Sequence, residues 1–149
     1  MATVTATVRT LSDTRAAVVR AGTHTLVADR PDGVVGGMGL GFNGAQLLAA
    51  AIGGCLANDV RVVAADEGID LESVAIDVTV AVDGTSVLDG LRIAGADLRV
   101  ELTAAGGADA SRVVERALSI SAVLASVRAG FPVEVVSAGP GGQPIAGSR

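Results

Sequence analysis

"NGAQLLAAAIGGCLANDV", residues 43–60, decides how the rest of the chain is organised. Asn43 is a good N-cap, and Gln46 stands three residues on, where a capping-box partner reaches back to the cap. Apolar residues recur at Leu47, Leu48, Ala51, Ile52, Cys55, Leu56, Val62 and Val63, the spacing of one helical face. The helix is predicted to run to about Glu67, with Gly68 as its C-terminal stop. At 1.5 Å per residue that is on the order of 35 Å, long for 149 residues, so sheet or another helix should wrap it.

The same stretch holds the only cysteine, Cys55, directly behind Gly53 and Gly54. Each glycine costs about 1 kcal/mol relative to alanine in a helix interior, so close backbone approach or access to the sulfur must repay them. One reading is an inert thiol on an apolar stripe, since free cysteine is among the most buried residue types. The other is a reactive thiol, which needs positive charge nearby. The local sequence supplies none, Asp59 one turn on opposes ionisation if it faces the same way, and Cys55 is too deep for the helix dipole to act strongly. Any activating cation must be an arginine distant in sequence.

Around the helix the pattern is mixed. "TVTATVR" alternates Val4, Ala6 and Val8 against threonines, a half-buried strand, and "RAAVVRAGTHTLVAD" gives two more strands turning at Ala21-Gly22. "RPDGVVGGMGLG" is expected to be a flexible loop; it lacks the Lys-Ser/Thr ending of a P-loop and the dinucleotide-fold glycine spacing. After the helix, Val74 to Val82 alternates cleanly. "LRIAGADLRVEL" switches apolar phase between Ile93 and Leu98, which predicts a bulge or bend near Gly95. Asp109 should cap a second helix with Val113, Val114, Ala117, Leu118 and Leu124 inward, breaking near Ser119 to Ser121. "FPVEVV" is a final strand, and residues 138–149 form a Gly- and Pro-rich tail expected to be disordered. Residues 1–137 thus read as a single α+β domain.

Composition narrows the function classes. Half the residues are apolar, but charges or glycines interrupt the apolar runs before the roughly 18 residues of a membrane span, so no membrane partner is expected. The start "MATVTATVRT" lacks the pattern of an export signal, which gives a cytoplasmic expectation. Net charge is −5 and the eleven basic residues, all arginine, are scattered, which argues against nucleic acid. One cysteine and one histidine exclude an intrachain disulfide and a structural zinc site. His24, on a predicted strand beside Thr23 and Thr25, has no partner motif and is read as structural or exposed.

The three-strand lead-in, the Gly-rich loop, "GFNGAQLLAAAIGGCLA" opening a long helix, "VAIDVTV" and the later "SISAVL" resemble the OsmC/Ohr family of osmotically inducible and organic hydroperoxide resistance proteins. The family helix begins Asn-Pro-x-Glu-Leu and carries its first cysteine after small residues, matching Asn43, Gln46, Leu47 and Cys55 in spacing. The resemblance implies an intertwined homodimer with the long helices central and the active sites at the subunit interface. It also implies reduction of organic hydroperoxides by the thiolate at Cys55. An arginine would stabilise that thiolate, a Glu at the Gln46 position would hold the arginine, and a second cysteine would resolve the sulfenic acid. Small thiols or lipoyl groups then act as reductant, without metal, nucleotide or other cofactor.

The chain departs from that pattern at two positions. Gln46 cannot supply a carboxylate's charge. The second cysteine is replaced by Leu118 if the motif register is followed, or by Ser121 if helix spacing is followed, so a sulfenic acid on Cys55 would need an external thiol or a partner subunit's Cys55. Arg30, just before Pro31, is the first candidate for the activating arginine, then Arg15, with Arg20 in the same region. Two functions stand open: a single-cysteine, thiol-dependent hydroperoxide reductase with catalytic Cys55, Arg30 and Gln46, or a degenerate dimer that binds a small apolar ligand or serves a stress response without turnover. A hotdog-type thioesterase would want an Asp or Glu where Gln46 stands and ranks below both.

Overall fold

The computed structural model describes residues 2–107 and 109–130. Strands β1 (Thr7–Thr10), β2 (Ala17–Ala21) and β3 (His24–Ala28) form an antiparallel sheet in that order. Helix α1 spans Gly44–Asp66. Strands β4 (Leu71–Asp83) and β5 (Arg92–Ala104) pair antiparallel as a long ribbon, followed by helices α2 (Ser111–Ile120) and α3 (Ala122–Ala129).

The start of α1 follows its sequence signals. The Asn43 side chain accepts from the Gln46 backbone N–H at 3.0 Å, and the Gln46 side-chain oxygen accepts from the Asn43 N–H at 2.9 Å, closing the capping box. Glu67 caps the other end and Gly68 takes the left-handed conformation that lets the chain turn into β4. Ile52, Leu56, Val60, Val63 and Ala64 are buried, whereas Val62, counted with the apolar face above, is exposed.

One face of the ribbon covers this stripe. Val74, Ile76 and Val78 stand opposite Leu102, Val100 and Leu98, and Val113 and Ala117 of α2 close the cluster around Leu56, Val60 and Val63. The phase switch in β5 is a register shift, since Ala81 pairs Gly95 but Val82 pairs Ile93, leaving Ala94 out of step. Arg116 of α2 ties the helix pair at its rim through Asp66, 2.7 Å away, and Glu67 at 3.3 Å, which raise its already high pKa.

Several expectations need correction. The first strand starts only at Thr7 and all four of its residues are exposed, and Val4 ahead of it is 90% exposed, so this segment is not the half-buried strand expected. The Asp109 carboxylate does not sit at the N-cap; it accepts the Ser111 N–H at 2.9 Å from one residue further out. By length and composition α1 does meet the requirement for a membrane span, because its three charges, Asp59, Arg61 and Asp66, all fall in its last third; here its stripe is packed on β4 and α2. The break between α2 and α3 falls at Ser121, within the expected interval. The final strand read at "FPVEVV" and the tail 138–149 lie outside the described residues.

Candidate functional site

Cys55 projects from the middle of α1 and is half-buried. It is not sealed among aliphatic groups. Its thiol donates to Asp59 Oδ2 at 3.6 Å, one turn on, and the Ser121 hydroxyl donates to the sulfur at 3.7 Å. Ser121 is fully buried at the break between α2 and α3. At a helix start a serine hydroxyl ordinarily caps the next turn; here no such bond forms and the hydroxyl is spent on Cys55. Of the two residues that could stand in the second-cysteine position, Ser121 is therefore the one facing the sulfur. Leu118 packs against the core cluster instead.

The two glycines before Cys55 differ in their surroundings. A Cβ on Gly53 would lie 3.2 Å from Val78 Cγ2, so this glycine lets α1 and β4 approach closely. Gly54 is exposed, and a Cβ there would meet nothing within 4 Å, so no close approach explains this glycine.

The candidate arginines are not on the sulfur. Among the described residues no guanidinium hydrogen-bonds to Cys55. Arg15 and Arg30 instead share the edge of a cavity of about 750 Å³ whose apolar wall includes Phe42, Leu47, Leu48 and Ile93. Leu48 precedes Cys55 by seven residues, roughly 10 Å along the helix. Arg20 lies on the N-terminal sheet, away from this cavity, and His24 is exposed at the start of β3. Gln46 spends its side-chain oxygen on the capping box, with no arginine hydrogen-bonded to it among the described residues.

Asp29 organises the cavity wall and was missed in the sequence. It is 8% exposed, and its carboxylate accepts the N–H groups of Arg30 at 2.7 Å, Met38 at 3.1 Å and Leu40 at 2.9 Å. The Leu40 bond leads in lowering its pKa below the ordinary carboxylate value, against partial burial, with Arg30 and Met38 adding to it. The Gly-rich segment is a loop, as expected, and it is folded upon itself; at Gly37 and Gly41 a Cβ would run into the carbonyls of Pro31 and Val27. Met38 in turn accepts the Arg15 backbone N–H at Sδ, 3.4 Å away, so this wall fixes both candidate arginines. The only sequence signal was an acidic residue ahead of a glycine run.

Comparison with known proteins settles the ancestry of this arrangement. A family model described as OsmC-like protein matches residues 37–136. The chain belongs to the OsmC family. Among solved OsmC-fold structures, an organic hydroperoxide resistance protein OsmC from Legionella pneumophila is 25% identical, covers 86% of this chain and 90% of its own, and superposes with a TM-score of 0.64. An OsmC-like protein of unknown function from Vibrio cholerae reaches 0.71 at 15% identity over 85% of this chain and 94% of its own. OhrB of Bacillus subtilis, an organic hydroperoxide resistance protein, gives 0.60 at 22% identity, over 86% and 92%. No curated protein sequence matches. The α+β fold with a long central helix is therefore the OsmC fold.

Proposed function

We propose that this OsmC-family chain is a cytoplasmic homodimer that reduces organic hydroperoxides with one cysteine, Cys55, and an external thiol. The observation that carries the reading is a cysteine that is not fully buried, with the buried Ser121 hydroxyl donating to its sulfur. In this reading the thiolate attacks the terminal oxygen of R–O–O–H, the O–O bond breaks, and the alkoxide takes a proton and leaves as alcohol. Cys55 is left as a sulfenic acid. An external thiol condenses with it, releasing water, and a second thiol frees Cys55 and leaves as the oxidised disulfide. Ser121 cannot resolve the sulfenic acid as a thiol would, which is why the reductant must come from outside. The activating guanidinium comes from Arg30 or, failing that, Arg15, brought to the sulfur in the assembled dimer. Gln46 secures the helix start through the capping box.

A second reading has its own support. The cavity joins an apolar wall to three arginines, Arg15, Arg30 and Arg92, without involving Cys55, which suits binding of a small apolar ligand with no turnover. One experiment separates the two. Oxidation of Cys55 by cumene hydroperoxide is followed by intact mass, with and without a dithiol, beside hydrogen peroxide and free glutathione. The reductase reading expects the organic peroxide to react at least tenfold faster than with glutathione, and Arg30→Gln or Arg15→Gln to remove that advantage. A rate equal to glutathione's overturns it in favour of the ligand-binding dimer.

A further inference from the structure

The N-terminal sheet carries two arginines that the reading above does not use. In the β1–β2 ladder Thr7 pairs with Arg20 and Arg9 with Val18, so Arg9 and Arg20 lie on one face as diagonal neighbours. Diagonal positions are about 7–8 Å apart, within reach of long side chains. Neither arginine forms an ion pair among the described residues, although acidic side chains outnumber basic ones sixteen to eleven in the whole chain. Two like charges set side by side without a counter-charge repel, and an anion held between them relieves that repulsion.

They also line a cleft. Thr7, Arg9, Thr10, Leu11, Val18 and Arg20 enclose about 510 Å³, within the roughly 300–1,000 Å³ range of small-molecule sites. Guanidinium forks match oxyanions, and two of them match the near-double charge of a phosphate monoester better than the single charge of a carboxylate. The threonines bring hydroxyl donors, while Leu11 and Val18 offer apolar contact to the organic part of such a molecule. We propose that Arg9 and Arg20 form a binding site for a small phosphomonoester on this face of the N-terminal sheet.

The test is titration of the whole protein with phenyl phosphate, inorganic phosphate and benzoate at fixed ionic strength, read from the amide NMR shifts of residues 7–11 and 17–20. Saturable binding of phenyl phosphate is expected, at least about tenfold tighter than benzoate, with inorganic phosphate between them. Arg9→Gln and Arg20→Gln should each weaken it by about tenfold, the effect of losing a hydrogen bond between charged groups, while the lysine variants keep part of it. Both side chains are exposed, so an unchanged unfolding midpoint confirms that the variants fold. Equal affinity for benzoate, indifference to either glutamine substitution, or binding seen only to vesicles containing phosphatidic acid overturns the proposal.

Discussion

Cys55 shares its sulfur with two oxygens of opposite role, a carboxylate that accepts its hydrogen bond and a hydroxyl that donates one. Ser121 faces Cys55, with Oγ 3.7 Å from the sulfur. A disulfide needs a separation near 2.05 Å, a shift that the helix break at Ser121 can absorb. Ser121→Cys should therefore form an intrachain disulfide on mild peroxide treatment, seen as a mass loss of about two hydrogens that a dithiol reverses; a free thiol persisting at residue 121 would contradict the facing assigned here. Leu118→Cys should not form one.

At the scale of elements, the wall of residues 30–41 depends on Asp29. Its carboxylate has a lowered pKa in the folded chain, so its contribution to stability is complete above the ordinary carboxylate range, near 3.8, and is lost as pH falls through the lower folded value. Asp29→Asn should lower the unfolding midpoint at pH 7 and differ less and less from the parent as pH drops below about 4; a gap constant down to pH 2 would mean that the charge is not what matters. Asn43→Ala removes one half of the capping box and should cost about 1 kcal/mol, measurable by urea unfolding. Helix α1 was legible because its cap, period and stop all lie within the segment itself. The wall was not, because the groups that satisfy Asp29 stand nine and eleven residues away and meet it only once the glycines have folded back. The replacement for the second cysteine stayed ambiguous for a related reason: motif register pointed to Leu118 and helix spacing to Ser121, and the contact that singles out Ser121 is made with a sulfur 66 residues away. Strand β1 was drawn too long because alternation at Val4 and Ala6 has no partner surface to meet.

Over the whole molecule, several of the exposed large apolar residues line the cavity. Phe42 is 51% exposed, and Val82, Leu91 and Ile93 at the end of the ribbon are each nearly half exposed. Exposed apolar patches of this kind mark association surfaces, which supports the proposed homodimer. Light scattering should give twice 14.6 kDa, or 29.2 kDa. Phe42→Asp should shift it to 14.6 kDa with the fold kept, since Phe42 joins β3 through its backbone alone: its N–H donates to the Val27 carbonyl and its carbonyl accepts the Asp29 N–H. A variant that stays dimeric would move the interface elsewhere.

The path from α1 into β4 bears on how the chain survives its own synthesis. A freshly made segment as greasy as Gly44–Asp66 could be taken by the ribosome's exit machinery for a membrane anchor. Only residues 67–70 separate it from the strand that shields it, and that strand is the next thing to emerge. Closure over so short a loop is fast, so β4 is placed to cover one side of the nascent helix before α2 closes the rest.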